Sequence, residues 1–149
     1  MKGKWTGEYW NLQFTPENLL KSKTLFYLTI EDDEHSKLTG VIYDDVDGGG
    51  TAGTGTIEGK IDGDTITFVK RMPVRTLRLW NGTKIEDPDK PHAPIYYKGT
   101  INRKDNTVKG EWKFKRRIGF YKGKLYFSKG SKGEWEMQRE TQIDNSKNT

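Results

Sequence analysis

The sequence predicts an all-β protein, a single antiparallel up-and-down β-barrel of about 8–10 strands with at most one short helical turn. Three observations predict this fold. Short runs rich in β-branched and aromatic residues recur along the chain, turn residues separate them, and several runs alternate apolar with polar side chains. Because an open sheet exposes unpaired backbone groups at its edges, we expect the strands to close into a barrel.

Five strand-forming runs occupy the first half of the chain. They read "KWTGEYW", "TLFYLTIE", "KLTGVIYDD", "GTIEGKI" and "DTITFVKR". The polar segment "DDEHSK" is the expected hairpin tip between the second and third runs, and the Asp-Gly pair of "KIDGDTI" signals a two-residue hairpin between the last two. The short helical turn is expected in residues 15–22, where Thr15 is a suitable N-cap and Pro16 a suitable first helical residue.

Five further runs follow, "RTLRLWNG", "IYYKGTI", "TVKGEWKFK", "KLYFS" and "KGEWEMQ". Alternation with a period of two is clearest in the third of these, where Val108, Trp112 and Phe114 are expected to point inward and the intervening Lys and Glu side chains outward. The sequence therefore predicts a barrel domain at residues 1–140 and a polar C-terminal tail at residues 141–149.

Length and composition limit the class of protein. A chain of 149 residues is the size of one domain, and its 12% of aromatic residues predicts a core built from a few large rings. The absence of cysteine excludes disulfides, zinc–thiolate sites and a cysteine nucleophile. The start "MKGKWTGEYW" has no apolar leader segment and no run approaches membrane-spanning length, so a cytoplasmic protein without a membrane span is expected.

The opening strand resembles that of the calycins, the superfamily of lipocalins, avidins and fatty-acid-binding proteins. The stretch "GKW", Gly3-Lys4-Trp5, is similar to their Gly-x-Trp start, and the "W-x-G-x-Y" pattern also resembles uncharacterised bacterial barrels. The resemblance implies that Trp5 closes one end of the barrel and that Arg139, just after "WEM", packs over its ring. The chain lacks the C-terminal helix of lipocalins, the Asn-x-x-Gly-Ser of avidins and the paired-helix lid of fatty-acid-binding proteins, so no single family is indicated.

The predicted interior contains two groups of candidate ligand-binding residues. The aromatic members either fill the core or line a cavity, and the sequence leaves both open; they are Tyr9, Phe68, Tyr97, Trp112, Phe114 and Trp135. The basic members lie where a strand leaves the barrel, and one that points inward would orient an anionic group; they are Lys70, Arg71, Arg75 and Arg78. The Met72-Pro73 break obscures which face each basic residue occupies.

Two segments outside the interior are further candidates. The basic stretch Lys113–Gly133 has no acidic residue and is interleaved with Phe and Tyr, which is typical of a nucleic-acid or anionic-polymer surface as well as of an ordinary solvated face. We assign that alternative to face 113–132. The proline-rich segment Asn81–Pro94 is predicted to be a long loop that gates or lines a pocket. The sequence assigns no ligand or acid–base role to His92 within this loop or to His35.

The stretch "YDDVDGGGTAGTGTIEG", residues 43–59, suggests a calcium or phosphate loop. A calcium loop starting at Asp45 needs Glu at its twelfth position, where this chain has Thr56, and a phosphate loop needs Lys and a helix after the glycines, where a strand follows. We predict a solvated hairpin connection, without metal or cofactor. Since no catalytic triad or histidine cluster is visible, small-molecule binding is favoured, with nucleic-acid binding and a barrel-mouth enzyme as alternatives.

Overall fold

The computed structural model describes residues 1–12, 23–47, 50, 52–73, 75–78, 84–87, 94–115, 117–121, 124–128 and 130–141. Within these ranges the chain forms strands β1 (Gly3–Asn11), β2 (Thr24–Asp32), β3 (Lys37–Asp44), β4 (Thr54–Asp62), β5 (Thr65–Arg71), β6 (Arg75–Arg78), β7 (Lys84–Asp87), β8 (Ile95–Asn102), β9 (Thr107–Phe114), β10 (Arg117–Tyr121), β11 (Lys124–Ser128) and β12 (Ser131–Arg139).

Eight of these strands form a closed antiparallel barrel in the order β1-β12-β9-β8-β5-β4-β3-β2. Each barrel strand pairs with the barrel strands that precede and follow it in sequence, and β12 pairs with β1 to close the ring. Two separate hairpins, β6–β7 and β10–β11, are inserted in the connections from β5 to β8 and from β9 to β12. The predicted all-β, up-and-down barrel is therefore confirmed.

Two segments differ from the local structure that the sequence predicts or lie outside the described residues. The helical turn expected in residues 15–22 lies outside the described residues, and the described part of the chain has a single-turn 3-10 helix at Glu34–Ser36, inside the predicted hairpin tip. Asn81–Pro94 is not wholly a loop, because Lys84–Asp87 forms β7. The segment "KIED" is short and polar, and it becomes a strand by pairing with Arg75–Arg78, which its own composition does not predict.

Alternation along the barrel strands separates a packed interior from a polar exterior, as predicted. On β9, Val108 and Trp112 are buried, whereas Lys109, Glu111 and Lys113 are exposed. The buried apolar residues form one core cluster that extends from Trp5 near one end of β1 to Trp112 and Ile95 near the other end of the barrel, with Tyr9 and Phe114 packed against it.

The two ends of the barrel differ in their connections. Short turns at residues 33–36, 63–64 and 103–106 join strands at one end, which we call the turn end. The longer connections, residues 12–23, 45–53, 72–94 and 115–130, all join strands at the opposite end, which we call the loop end.

Large rings fit inside the barrel because glycines face them on neighbouring strands. Gly110 on β9 is the cross-strand partner of Trp135, and Gly133 on β12 is the partner of Trp112. A Cβ at Gly133 would lie 2.5 Å from two atoms of the Trp112 ring, and a Cβ at Gly110 would overlap the carbonyl of Lys98. Gly133 thus leaves room for the Trp112 indole, and Gly110 allows the backbone of β8 to approach closely.

Candidate functional site

A buried charged pair marks the loop end of the interior. On β3 the inward phase that contains Leu38 and Ile42 continues to Asp44, and on β5 the phase that contains Phe68 continues to Lys70. The two charged residues are almost completely buried, with relative exposures of 5% for Asp44 and 1% for Lys70. Buried charges of this kind need partners, because removal from water disfavours the charged form.

Asp44 binds Lys70 and Tyr9 with different oxygen atoms. The ammonium Nζ of Lys70 donates to Oδ1 at 2.6 Å, and the hydroxyl of Tyr9 donates to Oδ2 at 3.0 Å. We call these three residues the Lys70–Asp44–Tyr9 cluster. Thr24, the cross-strand partner of Tyr9 on β2, hydrogen-bonds the Tyr9 hydroxyl. Because β1, β3 and β5 each supply one member, the cluster depends on the closed barrel.

Burial and charge shift the pKa values around this cluster. Burial lowers the pKa of Lys70, and the neighbouring Asp44 carboxylate partly opposes that shift. Burial, followed by the charge of Asp44 and the hydrogen bond to it, raises the pKa of Tyr9 far above its ordinary value. Burial also raises the pKa of Tyr97, with smaller contributions from Tyr9 and Asp44. The two tyrosines therefore stay neutral over the whole physiological range.

Lys70 has hydrogen-bonding capacity beyond its ion pair. An ammonium carries three N–H donors, and among the described residues its hydrogen-bond acceptor is Asp44. The same nitrogen lies 5.0 Å from the ring centroid of Tyr9 and 6.0 Å from that of Tyr97. Aromatic faces attract a cation but do not replace a hydrogen-bond acceptor. Two aromatic rings and one carboxylate are thus the described polar and aromatic partners of this amine.

The candidate aromatic residues form two groups of ring contacts. Phe68 stacks on Tyr97 with centroids 4.7 Å apart, and Trp135 meets both rings edge-on at 5.6 and 5.4 Å. The indole N–H of Trp135 donates to the carbonyls of Lys98 and Glu111. This group is packed and internally satisfied, which is typical of a core.

The second aromatic group lies closer to the loop end. Trp112 meets Tyr9 edge-on at 6.0 Å and stacks on Phe114 at 6.0 Å. Phe114 is the last residue of β9 and is only partly buried. Tyr9 therefore connects the Trp112–Phe114 pair to the Lys70–Asp44–Tyr9 cluster.

The four basic candidates do not share one position. Lys70 points into the barrel, whereas the next residue, Arg71, is exposed on the outer face. The side chains of Arg75 and Arg78 lie outside the described residues, although both belong to β6. Period two on β5 thus continues up to the Met72-Pro73 break and identifies Lys70 as the inward cation.

The predicted solvated connection at residues 43–59 is wrong for Asp44. Asp44 ends β3 on its inward side, and a Cβ at Gly50 would overlap the Asp44 side chain and lie 3.1 Å from Thr24. Val46 and Asp47 are exposed, as a solvated connection requires. The alternation along β3 indicates that Asp44 points inward, but the aspartate-rich residues around it are typical of a solvated turn. Thr24 was also missed, and its phase with the apolar residues of β2 would have identified it.

At the turn end, Arg139 packs over the ring of Trp5. Trp5 is 1% exposed, its indole N–H donates to the Met1 carbonyl at 2.8 Å, and Trp5 and Arg139 are cross-strand partners. The Arg139 guanidinium carbon lies 5.1 Å from the Trp5 ring centroid, and Nη1 donates to the Lys2 carbonyl at 2.9 Å. An indole covered by a cation therefore lies at this end of the barrel.

The outer face carries part of the predicted basic surface. Tyr96, Lys113 and Lys132 are consecutive cross-strand neighbours on β8, β9 and β12, and all three are exposed. A row displaced by two residues contains Glu111 opposite Glu134. In face 113–132, the side chains of residues 116–129 lie outside the described residues, as does His92. His35 is exposed in the 3-10 turn.

A separate outer groove of about 410 Å³ runs over β9, β12, β1 and β2. Lys109, Glu136 and Glu8 line it with polar side chains. In the described parts of the chain, no three His, Asp or Glu side chains converge as a metal site requires. No helix in those parts has the length and apolarity to cross a membrane.

Comparison of the chain with protein-family models, with curated proteins and with solved structures gave no significant match in any of the three.

Proposed function

We propose that the protein binds a small, largely apolar molecule with one polar group at the loop end of the barrel. The observation that carries this proposal is the buried Lys70–Asp44 ion pair, which Tyr9 connects to the Trp112–Phe114 pair. Aromatic surfaces supply binding area, and a few converging polar groups orient the ligand.

An ion pair at a core position contributes little net stability. Two charges lose their hydration when they are buried, and apolar side chains of similar volume often stabilise a fold at least as well. Shifted titratable groups inside a barrel are therefore functional candidates. Lys70, with donors beyond its bond to Asp44, supplies a suitable contact for a ligand oxygen.

The charge of the cluster favours a neutral polar group over an anion. Lys70 is already neutralised by a carboxylate 2.6 Å away, so a second carboxylate beside it would also face Asp44. Like charges at such distances repel strongly in a buried site. An anionic ligand, which the sequence made attractive, is thus disfavoured relative to a carbonyl, ester or hydroxyl compound.

We further propose that the barrel is calycin-like. The Trp5–Arg139 contact at the turn end and the concentration of long connections at the opposite end support this proposal. In that arrangement one end is closed by the indole, and the ligand enters through the other end.

A thermal-shift screen at low and high salt tests the proposed function. The panel contains fatty acids, fatty alcohols, aromatic ketones, haem, biotin, flavins and a short oligonucleotide, because any compound that binds the folded state raises the melting temperature. We expect a salt-insensitive shift with a neutral apolar compound, reduced in Trp112→Phe and unchanged in Lys98→Met, which alters the outer face. No shift from any apolar compound would contradict the proposal.

The outer row Tyr96–Lys113–Lys132 supports a second candidate function, binding of an anionic polymer such as single-stranded nucleic acid. Lys113 and Lys132 are direct cross-strand partners, an unfavourable like-charge arrangement that phosphate groups would relieve. Tyr96, 41% exposed, provides a ring for base stacking. An oligonucleotide affinity that falls steeply with salt and is lost in Lys113→Ser/Lys132→Ser, but not in Lys60→Ser, would establish this function.

A further inference from the structure

We propose that Lys70 is the nucleophilic amine of a carbonyl-binding site and that it condenses with an aldehyde ligand to form an imine, with Asp44 moving the proton. The inference rests on the proposed function, because the aldehyde must first bind in the barrel interior. It adds a chemical class of ligand and a covalent step to that function.

The geometry places a base in direct contact with the amine. A lysine attacks a carbonyl only as the neutral amine, and a neighbouring carboxylate can take its proton. Asp44 Oδ1 lies 2.6 Å from Lys70 Nζ, so the proton transfers within an existing hydrogen bond. Burial among aromatic rings weakens the preference for the charged ammonium–carboxylate form over the neutral amine and carboxylic acid.

Tyr9 and Tyr97 shape this proton transfer without taking part in it. The Tyr9 hydroxyl donates to Oδ2 of Asp44, which fixes the carboxylate and leaves Oδ1 to face Lys70. Tyr97 places its ring 6.0 Å from the amine on the β8 side. These two tyrosines and Asp44 are the titratable groups of the described residues that contact Lys70, and Tyr9 is a positioning residue.

The reaction balances with no further reactant. Lys70 transfers a proton to Asp44, and the free amine adds to the aldehyde carbon, so that a C–N bond forms and the carbonyl oxygen takes the proton back from Asp44. The carbinolamine nitrogen, which still carries its extra proton, gives that proton to Asp44, and Asp44 passes it to the hydroxyl, which leaves as water while the C=N bond of the protonated imine forms. When the imine nitrogen is protonated, the net change is aldehyde plus ammonium to iminium plus water, and the ion pair with Asp44 is kept.

The test uses cinnamaldehyde and nonanal as probes, with cyanoborohydride to trap imines, followed by intact mass and peptide mapping. At pH 7 an exposed lysine with a pKa of about 10.4 is almost wholly protonated and reacts slowly. We expect one reduced adduct, mapped to Lys70, that forms at least about ten-fold faster than adducts at surface lysines. Adducts spread over surface lysines at equal rates in wild type and Lys70→Met would overturn the proposal.

Three variants and two alcohols distinguish imine formation at Lys70 from binding alone. Lys70→Met should abolish the fast adduct, Asp44→Asn should slow it about ten-fold or more while keeping an acceptor for Tyr9, and Lys98→Met, which removes an exposed lysine, should leave it unchanged. If Asp44→Asn does not fold, the rate of adduct formation at Lys70 relative to surface lysines in the wild-type chain still tests the proposal. Cinnamyl alcohol and nonanol measure binding alone: thermal shifts from the alcohols without a Lys70 adduct would refute the imine and keep the proposed function.

Discussion

The Lys70 ammonium lies 2.6 Å from the Asp44 carboxylate although β4 runs between the strands that carry them. Both side chains point into the barrel, where they meet, although the two residues are far apart in the sequence. The contact therefore forms only when β3, β4 and β5 have assembled. The contact depends both on the inward position of one side chain in each strand and on closure of the whole sheet. The effects of substituting Asp44 and Lys70 on the free energy of unfolding should therefore be coupled.

We expect each half of this pair to be costly to remove alone. Lys70→Met leaves the Asp44 carboxylate buried without its cation, and Asp44→Asn leaves the Lys70 ammonium without its counter-charge; each should lower the free energy of unfolding by about 3–5 kcal/mol. The double variant should lose much less than the sum, because both buried charges are then removed together. Urea unfolding of the four proteins measures the coupling, and additive losses would show that the pair does not interact as the geometry indicates.

Alkaline pH should destabilise the fold through the buried tyrosines. Burial raises the pKa of Tyr97 well above the value of about 10 that tyrosine has in an unfolded chain. Above about pH 10 the unfolded chain loses this proton while the folded chain keeps it, so stability that is full below pH 10 falls by up to about 1.4 kcal/mol per pH unit. Tyr97→Phe should make the decline shallower.

Urea unfolding at a series of pH values from 8 to 12 checks this slope. Tyr96→Phe, which removes an exposed hydroxyl from the adjacent position, is the matched control for the loss of one tyrosine. An identical slope in Tyr97→Phe and wild type would mean that the Tyr97 hydroxyl ionises freely in the folded barrel.

The sequence predicts the barrel well because its signal is repeated in every strand. In β9, apolar and polar residues alternate without interruption, so the inward position of Trp112 follows directly. The same alternation places Asp44 and Lys70 inward, but the local composition favours a position on the surface or leaves it open. Asp44 begins an aspartate- and glycine-rich stretch, and Lys70 precedes a proline break. A charge is normally assigned to the surface, and the partner across β4 helps to make the buried position acceptable.

Strand β7 shows a different limit. "KIED" has no extended hydrophobic pattern, and its strand conformation comes from pairing with β6, with Arg75 opposite Asp87. Pairing partners that are distant in sequence are not encoded in a four-residue window. For the same reason the sequence could identify aromatic candidates such as Tyr9 but not the cluster to which Tyr9 belongs.

Gly110→Ala should destabilise the barrel strongly. Its new Cβ would overlap the Lys98 carbonyl and lie 2.5 Å from Gly99 Cα, and both groups are backbone that cannot move without disturbing the β8–β9 pairing. Overpacking of this kind costs about 1–3 kcal/mol, and contact with backbone favours the upper part of that range. Gly63→Asn is the control, because no atom lies within 4 Å of a Cβ there and Asn tolerates the positive φ of 59°. Equal unfolding midpoints for the two variants would contradict the packing argument.

Arg139 should stabilise the turn end through both its planar cation and its hydrogen bond. Its guanidinium covers the Trp5 ring and donates to the Lys2 carbonyl, so Arg139→Met keeps apolar cover but removes the cation and the donor. A cation over an indole at a partly exposed site contributes about 0.5–2 kcal/mol, and we expect a loss in this range on urea unfolding. Arg139→Lys should recover only part of it, because an ammonium lacks the planar fork that stacks on the ring and reaches the carbonyl together. Full recovery by lysine would mean that charge alone matters at this end, and no loss in either variant would mean that Trp5 closes the barrel without Arg139.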